Sequence, residues 1–252
     1  EREPERNREP VRDFVSRVLG GFQPETGIEE TGETGKRQPG SISVREMNLR
    51  DNRETQPYIN FLLDRRNRAH FANPPRNTYE LKKMAEDQSK HFLVATRVET
   101  DEKGKPVRRV AGGALIEDAG TNQHDHFISL VVADPNKQGQ GIGQRLWLQT
   151  IEYGFSTESH DRRPRTKLDL AIIMGVEPAD AKTIEVVSPV TGKTYHTKSR
   201  MEAIAIKAGF KMTQNLPRQV NVPGFSEPLA TRRYELILDN WKELIEKNST
   251  FS

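Results

Sequence analysis

The feature that most narrows what this chain can fold into lies near its middle. An apolar run, Phe127-Ile128-Ser129-Leu130-Val131-Val132, leads through Ala133-Asp134-Pro135-Asn136-Lys137 into Gln138-Gly139-Gln140-Gly141-Ile142-Gly143-Gln144-Arg145-Leu146. The first segment is apolar enough for a central strand. The last opens an amphipathic helix, predicted from about Gly141 to Phe155, with Leu146, Trp147 and Ile151 on its inner face. Three alternate glycines stand between them. Lacking Cβ atoms and free to take positive φ, they let successive backbone N–H groups converge on one point. The helix behind adds its unpaired N–H groups and the positive end of its dipole. The product is an anion site, most naturally for phosphate; the rival reading is a turn whose glycines serve tight packing alone.

Spacing selects among phosphate loops. The dinucleotide fingerprint G-x-G-x-x-G needs glycine at 144, where Gln144 stands. A P-loop needs Gly-Lys-Ser/Thr at the helix start; Gly35-Lys36 fails because Arg37 follows and Glu30 holds the place of the first glycine. The pattern that fits is Q/R-x-x-G-x-G/A, met by Gln138, Gly141 and Gly143.

The other elements order themselves around this turn. Residues 1–40 are polar and rich in Gly, Glu, Thr and Pro, a flexible leader interrupted by one short amphipathic helix over 11–19 (Val11, Phe14, Val15, Val18, Leu19). Ile42–Met47 alternates as an opening strand. Tyr58–Phe71 and Thr78–Gln88 read as helices separated by Asn73-Pro74-Pro75. His91–Val98 and Arg109–Ile116 form a hairpin about Lys103-Gly104-Lys105-Pro106. After the glycine turn come a strand at Leu168–Ile173, a hairpin at 183–197 and a helix from Arg200 to Ala208 stopped by Gly209. A strand starts at Phe210, a proline-bearing loop runs to Ala230, a last strand spans Tyr234–Leu238, and Asp239 caps a terminal helix. The domain thus spans 41–240, with a C-terminal helix and tail over 239–252. The class is α/β in its mixed α+β form.

Composition excludes several functions. The 252 residues hold no cysteine, which removes disulfide scaffolds, thiolate metal sites and cysteine nucleophiles. Lys plus Arg (39) against Asp plus Glu (36) gives +3, without the basic footprint of a nucleic-acid binder. No stretch approaches the roughly 18 apolar residues of a membrane helix, and no signal peptide is visible. The expectations are a cytoplasmic protein with no nucleic-acid or membrane partner. The chain begins at Glu1 and not Met, so the leader is also expected to tether the domain to a larger polypeptide.

With Val132-Ala133-Asp134-Pro135 before the loop and Lys207-Ala208-Gly209-Phe210 ending a later helix, the sequence resembles the GCN5-related N-acetyltransferase (GNAT) superfamily. The resemblance implies a mixed, mostly antiparallel sheet of six or seven strands, splayed between the fourth and fifth (Phe127–Val132 and Leu168–Ile173), with helices on both faces. It implies acetyl-CoA in the splay as co-substrate, and no metal. The diphosphate would meet backbone N–H groups of Gly139, Gln140, Gly141, Ile142 and Gly143, with Gln138 beside it. The pantetheine arm would pair with Val131 and Val132, a bulge is expected near Leu130, and the Val132 amide would polarise the thioester carbonyl.

Acetyl transfer to an amine needs a neutral nitrogen, whereas a lysine-like ammonium has a pKa of about 10.4, so a base is useful. The candidates are His126, Asp125 and Glu117, with His124 beside them; each also reads as a solvated loop residue. The family commonly places a tyrosine four residues before the Gly-Phe glycine as general acid. Ala205 stands there, which leaves Tyr153, Tyr195 or water. The acceptor is expected to be a primary amine of a small molecule or protein, bounded by residues 65–76, with Arg65, Arg66, Arg68 and Arg76, and by 214–231. The arginines read either as a solvated face or as attraction for an acidic acceptor, and the 183–197 hairpin as a cleft cover or a homodimer contact. The alternative function is a CoA-binding module without catalysis.

Overall fold

Alternation of apolar side chains across a pleated surface sets the first half of the molecule, and the structure, a computed structural model, describes residues 42–71, 73–118, 126–137, 140–157, 164–222 and 224–249. The leader helix expected over 11–19 lies outside them. Strands β1 (Ile42–Glu46), β2 (Lys90–Thr100), β3 (Pro106–Asp118) and β4 (His126–Ala133) pair antiparallel in sequence order. The β2–β3 turn closes on Asp101, whose carboxylate accepts from the backbone N–H groups of Lys103 and Lys105. β5 (Lys167–Ile173) joins β4 in parallel after a helical crossover, and β9 (Leu229–Ile237) and β8 (Lys211–Val220) complete the order β1-β2-β3-β4-β5-β9-β8. The sheet is therefore mixed and mostly antiparallel, with seven strands and one parallel pair.

Because successive strand residues point to opposite faces, β2 feeds two cores. Phe92 and Val94 pack with Leu115 and Val132 against α1 (Asn52–Leu63), through Tyr58, Ile59 and Leu62. Leu93 and Ala95 pack on the other face with Ala114, Ile116 and Ile128 against α4 (Ile142–Ser156), whose Leu146, Trp147 and Ile151 are buried as expected for its inner face. The short helices α2 (Arg65–Arg68) and α3 (Thr78–Met84) follow α1, with Leu81 of α3 in the α1-side core. The buried faces of α5 (Arg200–Lys207) and α6 (Leu238–Ser249) extend the α4-side core under β5 and β9. A separate ladder, β6 (Ile184–Val187) with β7 (Thr194–Thr197), is the hairpin expected over 183–197, and it packs on α5. No helix among the described residues is long and apolar enough to cross a membrane.

The helix expected over Thr78–Gln88 ends at Met84 and the last strand starts at Leu229, and three further boundaries differ from the sequence reading for a local reason. The helix expected over Tyr58–Phe71 begins earlier, where the Asp51 side chain caps it. It breaks at Asp64, whose carboxylate caps α2 instead. β8 runs on to Val220 through Pro217, where a loop is expected from composition. An edge strand tolerates a residue with no N–H, and the register shifts there, between Leu216 and Val220. Asp239 falls inside the first turn of α6 and not ahead of it.

One glycine pair matters for the site. A Cβ built on Gly113 would lie 2.6 Å from the Tyr58 ring and 2.9 Å from the Leu93 carbonyl oxygen, so α1 can approach β3 only across a bare backbone. Gly113→Ala should therefore destabilise the protein by about 1–3 kcal/mol through overpacking. Urea unfolding monitored by circular dichroism measures this, and an unchanged midpoint would contradict the close approach.

Candidate active site

The glycine turn is built as an open cradle. A single 3-10 turn, Pro135–Lys137, carries the chain away from β4. Gly141 then sits in the left-handed region (φ 71°) as the N-cap of α4, and a Cβ there would meet nothing within 4 Å. Arg145 N–H donates to Gly141 O at 3.0 Å as the first intrahelical bond, so the N–H groups of Ile142, Gly143 and Gln144 have no acceptor within the helix. α1, α2, α3 and α5 all close this end with a side chain: Asp51, Asp64, Asn77 and Ser199 accept from backbone N–H groups. Among the described residues none caps α4 through its side chain. Gln138 and Gly139, expected in the same cradle, lie outside the described residues, and Gln140 accepts through its side chain from Arg97 Nη1.

The cradle faces a gap in the sheet. β4 and β5 pair only at Phe127 with Asp169 and Ile128 with Leu170, and no pairing continues toward Ala133 and Ile173. At the point of parting Leu130 has φ 48° and the β3–β4 register shifts between Gly113 and Leu115: the bulge expected there. Tyr58 OH donates to Leu130 O at 3.0 Å and fixes the bulge from the α1 side. Burial, then the nearby charge of Glu117, raises the Tyr58 phenol above its ordinary range, so it remains a donor.

The ladder also says which amides face the gap. Asp134 N–H donates to Ala111 O at 2.8 Å, and Gly113 lies opposite Val132. Bonded and non-bonded pairs alternate in an antiparallel ladder, so Val132 turns its N–H and C=O toward β3. Ala133 turns its own to the other side, where Asn67 Nδ2 donates to Ala133 O at 3.4 Å. Against the expectation for Val132, the cleft-facing polar groups of this stretch belong to Ala133; the reason is the strand parity set beyond the bulge.

The structure separates the base candidates by face. His126 is buried on the α4 side, its Nδ1 2.8 Å from Asp118 Oδ1. Asp118 also receives two hydrogen bonds from the fully buried Arg165 (2.8 and 3.0 Å) and lies 3.2 Å from His91 Nε2. Arg165 in turn donates to Gly154 O and Thr157 O, tying the end of α4 to the ends of β3 and β4. Glu117 is on the opposite face. It accepts from Ser129 Oγ at 2.8 Å, immediately before the bulge and on the Tyr58 side. His124 and Asp125 lie outside the described residues. Tyr153 donates to Glu46 on β1, three strands from β4, Tyr195 lies in the hairpin opposite Val186, and Ala205 is buried.

Around the gap on the α1 side, Arg66 is held by Asp64, Pro135 O and Asn136, and Arg68 donates to Phe71 O; these two serve the fold. An open groove of about 530 Å³ lies beside Arg68, Pro74, Arg76, Lys83 and Met84. His70 lies within electrostatic reach of Glu177, so the segment after β5 approaches the end of α2. Tyr58 and Arg165 were not legible as site residues. The Gly112-Gly113 pair inside a strand signals a close approach from above, whereas nothing local in the sequence marks Arg165.

A left-handed glycine opening onto free space, an uncapped helix start and a bulged strand with no partner beyond it are what a diphosphate with an extended arm requires, and the residues present fit acetyl-CoA. Residues 58–163 match the family model described as the Acetyltransferase (GNAT) family. The match takes in β4, the glycine turn and α4, and covers less than half of the chain. Solved structures sharing the fold include a ribosomal-protein-S5-alanine acetyltransferase from Vibrio fischeri (13% identity, TM-score 0.52, covering 79% of this chain and 94% of that one). An N-acetyltransferase from Staphylococcus aureus Mu50 (16%, 0.51, 79% and 99%) and a spermidine N-acetyltransferase variant from Vibrio cholerae (13%, 0.51, 79% and 95%) are similar. At these identities the likeness is one of fold. No curated protein matches the sequence. Among the described residues no group of ligand side chains is arranged to hold a metal ion.

Gly141→Asp places a carboxylate at φ 71° where phosphate oxygens would sit. Calorimetry should show acetyl-CoA affinity falling at least about 100-fold, from strain plus like-charge repulsion. Retained affinity would mean that the turn is not the anion cradle.

Proposed function

We propose that the protein transfers the acetyl group of acetyl-CoA to a primary amine of a small molecule or a protein by direct attack, with Glu117 as the base. The uncapped head of α4 at the mouth of the β4–β5 gap carries this reading. Acetyl-CoA supplies an acyl group activated as a thioester. The amides of Gly141, Ile142 and Gly143 hold the diphosphate, with Gln138, Gly139 and Gln140 completing the loop. Ala133, on the cleft side of β4, holds the arm with Val131 and offers an N–H to the carbonyl oxygen.

The acceptor loses one proton to solvent to become a neutral amine. As its nitrogen forms the C–N bond and the C–S bond breaks, the second proton passes to the Glu117 carboxylate, which Ser129 Oγ orients. Sulfur leaves as thiolate and is protonated by water, since Ala205 supplies no acid. Holding amine and thioester together contributes the remainder of the rate. Arg66 and Arg68 of α2 are engaged within the fold, and Glu117 and Glu177 suit a cationic amine.

Free-thiol release over a panel of polyamines, small amines and peptide N-termini tests the reaction. Binding of acetyl-CoA with no thiol release on any amine would assign a regulatory CoA-binding module instead. Glu117→Gln should lower kcat/KM about 100- to 10,000-fold with the melting temperature nearly unchanged. His126→Gln, on the other face, should lower the melting temperature while kcat/KM stays near that of the wild type. The opposite pair of outcomes would return the base role to His126.

A further inference from the structure

Beside the cradle, on the side away from β5, cations crowd together without enough acid to balance them. Arg97 of β2 lies directly opposite Arg109 of β3 in the ladder, a like-charge pair that opposes strand pairing. Lys137 of the 3-10 turn and Arg145 at the head of α4 lie within electrostatic reach of Arg97. Glu99 is the carboxylate among them, paired with Lys137 and 3.5 Å from Arg109. Burial, then repulsion by Arg97, pushes both Lys137 and Arg145 below their ordinary pKa values. The first turn of α4 carries no acidic residue, so this charge adds to the helix dipole when it would normally be offset. Arg97 Nε is buried and has no hydrogen-bond partner among the described residues, although its Nη1 reaches Gln140 in the loop itself.

Each of these arrangements is unfavourable in the free protein, and each is relieved by one dianion. We infer that Arg97, Lys137 and Arg145 form a cationic rim for the ribose 3′-phosphate of CoA, so that the protein discriminates CoA from its 3′-dephospho form. The inference rests on the reading of Gly141–Gly143 as the diphosphate cradle and adds a determinant outside it. A phosphate monoester is the fitting ligand because it brings close to two charges and three acceptor oxygens at neutral pH. The guanidinium of Arg97 can offer it Nε and a second N–H as a fork.

Isothermal titration calorimetry at fixed salt, with acetyl-CoA and 3′-dephospho-acetyl-CoA as the two probes, tests this on the whole chain. The wild type should bind the 3′-phosphorylated probe roughly 10- to 100-fold more tightly, the range of one or two charge-assisted hydrogen bonds. Arg97→Gln should remove most of that preference and leave the affinity for the dephospho probe unchanged. Arg145→Gln should do the same and raise the melting temperature of the ligand-free protein, because a cation leaves the head of α4. Equal affinity of the wild type for the two probes overturns the inference and leaves the cradle standing. So does an Arg97→Gln variant that weakens both probes equally. Failure of both probes to bind the wild type overturns the cradle reading itself.

Discussion

The parallel contact between β4 and β5 lasts for two residue pairs and then ends, and this parting shapes the rest of the molecule. A ladder that continued would fill the space that the arm of a cofactor needs, because an arm with amide groups can pair with a strand edge only where the native partner is missing. The parting is held by contacts from both sides. On one face Tyr58 reaches across the bare backbone of Gly113 to the carbonyl of Leu130, inside the bulge. At the closed end, on the other face, Arg165 joins Asp118 to the last turn of α4. The strands therefore diverge between two fixed points, and the edge of β4 that stays free is a defined one, with the main chain of Ala133 turned outward.

This geometry distributes the charges. The buried cluster of Asp118, Arg165 and His126 sits where β4 and β5 still touch, and Asp118 bonds to both of the others. Removing one partner from such a cluster strands the remaining charges in a dry interior, so the cluster serves to hold position. Glu117, one residue earlier in β3 than Asp118, has opposite strand parity and emerges on the α1 side beside Ser129. Two neighbouring carboxylates thus take different roles through the pleat alone. A similar division holds at the open end, where main-chain donors face the gap and a cationic rim flanks them from β2.

Much of this was legible in the sequence because it rests on local signals. Alternate glycines after an apolar run marked the turn at the head of α4, and the apolar spacing of Leu146, Trp147 and Ile151 gave the buried face of that helix. The bulge near Leu130 and the splay between the fourth and fifth strands came from the resemblance, and the strand pairing agrees with both. What was not legible depends on pairing between distant segments. Whether Val132 or Ala133 faces the cleft is set by which residue of β3 stands opposite. Whether His126 or Glu117 emerges on the α1 side is a matter of strand parity, which no property of either side chain reveals. Arg97 looks like any charged strand residue until the register sets Arg109 opposite it and folds Lys137 and Arg145 alongside.

Backbone hydrogen exchange with and without acetyl-CoA, read at residue resolution, examines most directly the claim that free main-chain donors bind the donor molecule. Exchange should slow at the amides of Ile142, Gly143 and Gln144 and at Ala133 when acetyl-CoA is added, while Val132, already bonded to β3, changes little. Slowed exchange confined to the groove beside Arg76 and Lys83, with the head of α4 and the edge of β4 unaffected, would contradict the account.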